Sequence, residues 1–276
     1  MALTQVAFHT THIAGPALGG AVIAVFGGPG WVNAADALTF VAALIALHWL
    51  PRTAPHLEVA DADNRVTLKS IADGLSYAFR TPLILSIFLI DLVAMIFGMP
   101  RAVFPQLAAE TFTYGAAGLG LLYAAPSAGA LIGALTTGWV GRVKRQGVSV
   151  LVAVAVWGAA VALAGLSLFS LALTFFFLAI AGAADVVSAV FRGTMLLETT
   201  PAHLRGRVNA LNLMVVTGGP RLGDVEAGLV AGAIGAGPSV VVGGVACLVG
   251  TVSVAAGFKQ LREHVSPARK HLETTT

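Results

Sequence analysis

Eight hydrophobic runs succeed one another along the chain, and the basic residues gather in every second gap between them. The runs cover about 4–26, 31–50, 82–107, 117–140, 148–168, 170–191, 208–234 and 237–258. Each approaches the roughly 20 residues a helix needs to cross ~30 Å of hydrocarbon. Lys and Arg occupy 51–81, 141–147, 192–207 and 259–270, whereas 27–30, 108–116, the gap near 169 and 235–238 hold none. Of the 16 basic residues, only Arg101 and Arg221 fall inside runs on this reading. Under the positive-inside rule the basic gaps and the C-terminus face the cytoplasm. An even number of crossings then places the N-terminus there too. The expected fold is all-α, integral to the plasma (cytoplasmic) membrane and multi-pass, with eight transmembrane helices.

Composition points the same way. Hydrophobic residues make up 57% and charged residues 11%, against about 25% charged in a soluble domain. Mean hydropathy is +0.86. The net charge of +3 is accounted for by the placement of basic residues beside anionic headgroups, so no nucleic-acid partner is expected. The lipid bilayer is the expected environment. Cys247, the one cysteine, cannot form an intrachain disulfide and reads as a small packing residue. Met1 leads almost directly into the first run with neither a basic n-region nor a small-residue cleavage site, so no removable signal peptide is expected.

The chain divides into two spans over 1–50, a polar linker over 51–81, six spans over 82–258 and a cytoplasmic tail over 259–276. Within the linker, 51–67 has two prolines and five charges. Leu68, Ile71, Leu75, Ala78 and Phe79 then recur on one helical face, with Lys69, Asp73 and Arg80 off it. That spacing predicts a short amphipathic helix at the membrane surface. Pro82 suits the first turn of the next span.

The 32 glycines concentrate in the runs, and Gly15-Gly19, Gly129-Gly133, Gly219-Gly223 and Gly228-Gly232 have GxxxG spacing. Burial cannot drive helices together in lipid; small residues let backbones approach and gain dispersion contacts instead. Pro16, Pro100, Pro105, Pro126 and Pro220 each free a backbone carbonyl, which is tolerated only against protein or a wet cavity. Such helices fit a bundle that changes shape better than a passive anchor.

Three motifs carry a resemblance. Gly15-Pro16-Ala17-Leu18-Gly19-Gly20 resembles the GPxxGG signature in the fifth helix of antiporters of the major facilitator superfamily, with Thr11 where the fuller form has glycine. Gly138-Trp139-Val140-Gly141-Arg142-Val143-Lys144-Arg145-Gln146-Gly147 is similar to that superfamily's loop between helices eight and nine, with Arg142 at its acidic position. Thr200-Pro201-Ala202-His203-Leu204-Arg205-Gly206-Arg207-Val208-Asn209-Ala210-Leu211-Asn212, followed by Gly223-Asp224-Val225-Glu226-Ala227-Gly228, resembles the loop and eleventh helix of its enterobactin-exporter-like, multidrug efflux branch. The resemblance implies that 1–50 is the remnant of an N-terminal half, helices five and six, and that 82–258 is the complete C-terminal half. Helices one to four have no counterpart here.

Asp36, Asp91, Arg101, Asp185, Arg221, Asp224 and Glu226 lie within or at the ends of runs. A charge near the bilayer centre costs from about 2.5 kcal/mol upward, so it tends to face the bundle interior or water. Asp91, about nine residues into its span, stands out. It reads either as a carrier of the coupling proton or as a hydrogen-bonded structural acid. Arg101 is ten residues on, ~15 Å along an ideal helix, too far to pair with it. Arg221 and Asp224 share a face at i,i+3 and can pair, as a gate or as a static pair. Gln5, His9 and His12 form a polar stripe that either lines a cavity or hydrogen-bonds a neighbouring helix. With Asp36, Arg101, Asp185 and Glu226 they are the candidate cavity-lining residues. Gly15, Pro16, Gly19 and Gly20 form the packing motif. No metal site is expected, because the two histidines lack further ligands at suitable spacing.

The chain has no Gly-x-Ser-x-Gly, no phosphate loop and no paired-histidine ligand motif, so neither an enzyme nor an ATP-driven pump is expected. No cofactor is implied. The resemblance implies secondary transport by alternating access, with proton-coupled efflux of a small amphiphilic molecule such as a drug or siderophore. The alternative is a fragment or half-transporter that needs a partner polypeptide to supply the missing helices.

Overall fold

The computed structural model describes residue 22 and residues 30–49, 68–112 and 115–265. Gln5, His9, His12, Gly15, Pro16, Gly19 and Gly20, together with the first span, lie outside the described residues. The described elements are helices joined by short turns: α1 Gly30–Trp49, α2 Leu68–Arg80, α3 Pro82–Phe97, α4 Phe104–Glu110, α5 Gly115–Thr136, α6 Gln146–Leu166, α7 Leu171–Thr199, α8 Arg205–Ile234, α9 Ala236–Gly257 and α10 Lys259–Glu263.

Among the described residues, five stretches are long and apolar enough to cross a membrane: Pro82–Glu110, Ala116–Val140, Gln146–Leu166, Leu171–Thr199 and Ala236–Gly257. α8, at 30 residues, carries more polar residues and joins them by packing along α3. Around the bundle α3 meets α8, α8 meets α9, α9 meets α6, α6 meets α7 and α7 meets α5. α1 contains a shorter apolar stretch, Gly30–Ala46. Its Leu38, Phe40 and Leu44 are exposed, as befits a helix whose neighbours in a membrane are lipid or other helices. The membrane face at which α2, Lys144, Arg145 and Arg205 emerge is called the basic face below.

Glycine decides which helices touch closely. A Cβ on Gly129 would fall on the carbonyl oxygen of Ala179, and one on Gly182 would fall on that of Pro126. The α5–α7 contact is therefore glycine-mediated from both sides. Gly219 and Gly223 likewise face Met95 and Ile96 of α3. Gly228 and Gly232 behave differently: nothing described lies within 4 Å of the space a Cβ would fill. Their GxxxG spacing marks no contact among the described residues. Gly235 joins α8 to α9 at φ 91°, ψ 158°, a conformation essentially reserved for glycine.

Two sequence expectations need revision. The run 82–107 is not one continuous helix. α3 stops at Phe97, Gly98 donates its N–H to the Ala94 carbonyl at 2.8 Å, and a 3₁₀ turn over Arg101–Val103 leads into α4. Pro100 explains the stop, because it has no N–H to continue the ladder. Second, α7 does not end at 191. It continues to Thr199, so Arg192 lies inside a transmembrane helix and not in a polar gap. α2 packs on the bundle through Gly74, Tyr77 and Ala78, with Gly74 against Arg207 and the Tyr77 hydroxyl donating to the Thr199 carbonyl at 3.2 Å. Leu75 and Phe79, on the helix's apolar face, are exposed, which leaves that face turned outward as a helix lying on a membrane surface would have it. α10 stays on the bundle: its Leu261 is fully buried, against Gly147 at the start of α6.

Candidate functional site

α3 and α7 each carry a charged residue that the bundle buries. Asp91 is ~14 Å along α3 from Pro82, and Arg192 is ~10 Å back along α7 from Thr199, both measured from the basic face. Arg192 Nη2 lies 2.8 Å from Asp91 Oδ1, with side-chain exposures of 5% and 1%. Neither Asp91 oxygen accepts a well-aligned hydrogen bond among the described residues, so the contact is ionic. The same Nη2 is 4.0 Å from Asp185 Oδ1. Nη1 donates to Ser188 Oγ at 2.6 Å.

One guanidinium thus stands between two carboxylates, held by a third bond to its own helix. Asp91 is not the lone carboxyl of the sequence reading. It has a cationic partner that the sequence reading had assigned to a loop. A signal for that partner was available: Asp185, Ser188 and Arg192 follow i, i+3, i+7 spacing, which places them on one helix face.

Asp185 is the more accessible acid, with 27% of its side chain exposed. It borders a cavity of about 110 Å³ that Arg101, Ser127 and Trp157 also line. That volume holds several waters. The wall on the α3 side is the helix break. There the Trp157 indole N–H donates to the Gly98 carbonyl at 2.8 Å and the Tyr123 hydroxyl donates to the Arg101 carbonyl at 3.3 Å. Freed carbonyls inside a membrane need such donors. Replacing Trp157 with phenylalanine is expected to lower stability by about 1–3 kcal/mol, the cost of leaving a buried acceptor unpaired. Thermal unfolding of the purified protein in detergent measures it, and an unchanged midpoint would mean that another donor satisfies Gly98.

Further from the basic face the charges continue to alternate. Arg101 is within electrostatic reach of Asp185, and both Arg101 and Asp224 are within reach of Tyr123. Arg221 Nη1 is 3.7 Å from Asp224 Oδ2, an i,i+3 pair with exposures of 85% and 35%. Exposed pairs of this kind hold little free energy. Glu226, half-buried, is two positions past Asp224 and points elsewhere around α8. Asp36 is exposed on α1, and among the described contacts nothing joins it to the cluster. The structure therefore brings together Asp91, Asp185 and Arg192, with Arg101 across the cavity. The Arg221–Asp224 pair is largely exposed and does not line that cavity.

A family model described as transmembrane secretion effector, of the major facilitator superfamily, matches residues 1–273. Similar curated proteins include enterobactin exporters EntS of Shigella boydii serotype 18, Escherichia coli O81 and Shigella dysenteriae serotype 1. Each is 32% identical over 211 residues, covering 76% of this chain and 49% of the relative. The chain spans about half the length of the curated relatives it matches. No solved structure gives a significant match.

Proposed function

Since the chain belongs to the major facilitator superfamily, in its transmembrane secretion effector family, we propose that it acts in secondary export of a small amphiphilic molecule by alternating access. The similar proteins are named for enterobactin export, which supports a siderophore-like or drug-like cargo. The basic residues in alternate gaps support an orientation with both termini in the cytoplasm. Conformational work replaces covalent chemistry in this reading.

The observation that carries it is Arg192 between Asp91 and Asp185. Two carboxylates compete for one guanidinium in a site that excludes most water. Protonating one acid releases the arginine to the other. Taking up or losing a proton therefore changes whether the guanidinium ties α7 to α3 through Asp91 or pairs only within α7 with Asp185. Such a two-position element is what coupling requires, because a ligand shifts a conformational equilibrium only by its differential affinity for the two states. Asp91 carries the coupling proton, and Asp185, at the cavity, is the acid that meets water or cargo. The Arg221–Asp224 pair serves as a rim gate.

Asp91→Asn is expected to abolish proton-driven export in a transporter that contains both six-helix halves, at an unchanged membrane level. Export against a gradient measured in inverted vesicles checks this. Normal coupled export by that variant would remove Asp91 from the coupling role.

A second reading is that the helices described here transport only together with further helices, on a partner or elsewhere in a longer polypeptide. Rocking transport needs two bodies of comparable size around one midplane site. Proteoliposomes containing this chain alone are expected to show no gradient-dependent export above empty membranes. Clear export from them would show that no partner is required.

A further inference from the structure

The cavity beside Asp185 offers more hydrogen bonding than proton exchange uses. Arg101, on the turn after α3, and Ser127, on α5, line it together with Asp185. Arg101 is close enough to Asp185 for their charges to interact, yet among the described residues no ion pair joins them. No hydrogen bond among those residues occupies the Arg101 guanidinium or the Ser127 hydroxyl. The lining thus presents a donor, a carboxylate acceptor and a hydroxyl that can serve as either. Phe104, Trp157 and Ala181 supply apolar wall.

Charge narrows what can enter. With both acids ionised, Asp91 and Asp185 balance Arg192 and Arg101. An incoming group with a whole charge of either sign would leave that charge uncompensated, which is costly where water is scarce. Size narrows it further. The cavity of about 110 Å³ is well below the roughly 300–1,000 Å³ that encloses a drug-sized ligand. It admits one compact group, with the remainder of the molecule outside.

We propose that the cavity receives an uncharged head group of the exported molecule in which an acceptor stands beside a donor, as in a carboxamide. The acceptor takes a bond from Arg101, and the donor gives one to Asp185. This rests on the export reading above and names the chemistry of its cargo. It also explains why cargo and proton exchange. Protonating Asp91 sends Arg192 to Asp185, whose carboxylate then has less to offer a donor. Cargo that engages Asp185 returns Arg192 to Asp91, which then stays ionised. The two ligands exclude each other through one guanidinium, so each favours a different state of the same element.

The test is saturation-transfer NMR of the full chain in detergent near neutral pH, titrated separately with benzamide, benzoate and benzamidinium. The three share a ring and a planar head and differ in charge. Benzamide is expected to bind roughly tenfold more tightly than either ion. Ala130→Leu, which fills the cavity, is expected to reduce the benzamide signal to that of detergent alone. Arg101→Gln leaves one excess negative charge and should turn the preference to benzamidinium. Asp185→Asn leaves one excess positive charge and should turn it to benzoate. A preference of the unsubstituted chain for either ion, or no binding of any of the three, would overturn the proposal without recourse to a variant. Indifference to Ala130→Leu, or a ranking that neither charge substitution changes, would overturn it too. The titration needs neither a gradient nor further helices. Benzamide binding without export by a transporter containing both six-helix halves would keep the site and remove the export reading. Export without benzamide binding would do the reverse.

Discussion

Arg192→Met is expected to destabilise the folded bundle by about 3–5 kcal/mol, the range found when one member of a buried ion pair is removed. Methionine keeps most of the length of the arginine stem, so lost packing is a small part of the effect. The larger part is electrostatic. Asp91, 1% exposed, would keep its burial and lose the cation 2.8 Å away. Asp185 would lose the same guanidinium at 4.0 Å. Ser188 would lose the bond it accepts from Nη1. Adding Asp91→Asn should then restore much of the loss, because the amide removes the uncompensated charge. Thermal unfolding in detergent of the unsubstituted, two single and double variants gives the coupling energy directly. A single Arg192→Met variant within about 1 kcal/mol of the unsubstituted protein would show that Asp91 does not depend on the pair.

Gly129→Val should rank beside it. A side chain there has no free direction: its Cβ would meet the Ala179 carbonyl, and Gly133, one turn on, already faces the same oxygen-lined surface at Ala183, 3.0 Å from its own Cβ position. Both obstacles are backbone, so no rotamer change relieves them and α5 must move off α7. Overpacking typically costs about 1–3 kcal/mol and more where the surroundings cannot shift; the upper end is expected here. Gly228→Val is the matched control, a glycine of the same spacing class with nothing described within 4 Å. It should change stability by no more than about 0.5 kcal/mol. Comparing the two unfolding midpoints separates glycine as a contact surface from glycine as a mere component of the helix. Similar losses at both positions would reject the assignment of the α5–α7 contact to Gly129.

Both effects arise where local pattern and tertiary contact part company. Hydropathy is an average over a window, so Arg192 ended an apolar run and looked like the start of a polar gap. The helix nevertheless continues through Met195 and Leu196 to Thr199. An arginine is tolerated there because a carboxylate on another helix offsets its charge, and no window along one segment contains that carboxylate. The same blindness made Asp91 look solitary. The four GxxxG spacings are equivalent as letters, yet Gly219 and Gly223 meet α3 while Gly228 and Gly232 meet nothing described. Spacing fixes which residues share a face, but the packing of neighbours decides whether that face is used. Pro100 is an intermediate case. Its missing N–H foretold a freed carbonyl, but the donors at the break, Trp157 and Tyr123, come from two other helices.

The alternation of apolar runs with basic and non-basic gaps by itself determined that this is an all-helical, multi-pass membrane protein, because lipid forces every backbone polar group to be satisfied within a segment. The motifs at 15–20, 138–147 and 200–228 determined its superfamily, as local signatures can. Only the tertiary structure decided that Asp91 and Asp185 share Arg192, that Arg101 and Asp185 line one cavity, and that the Arg221–Asp224 pair stays outside that cavity's lining. Those relations join helices distant in the chain, and in a medium where apolar burial cannot select partners, close packing and paired charge select them.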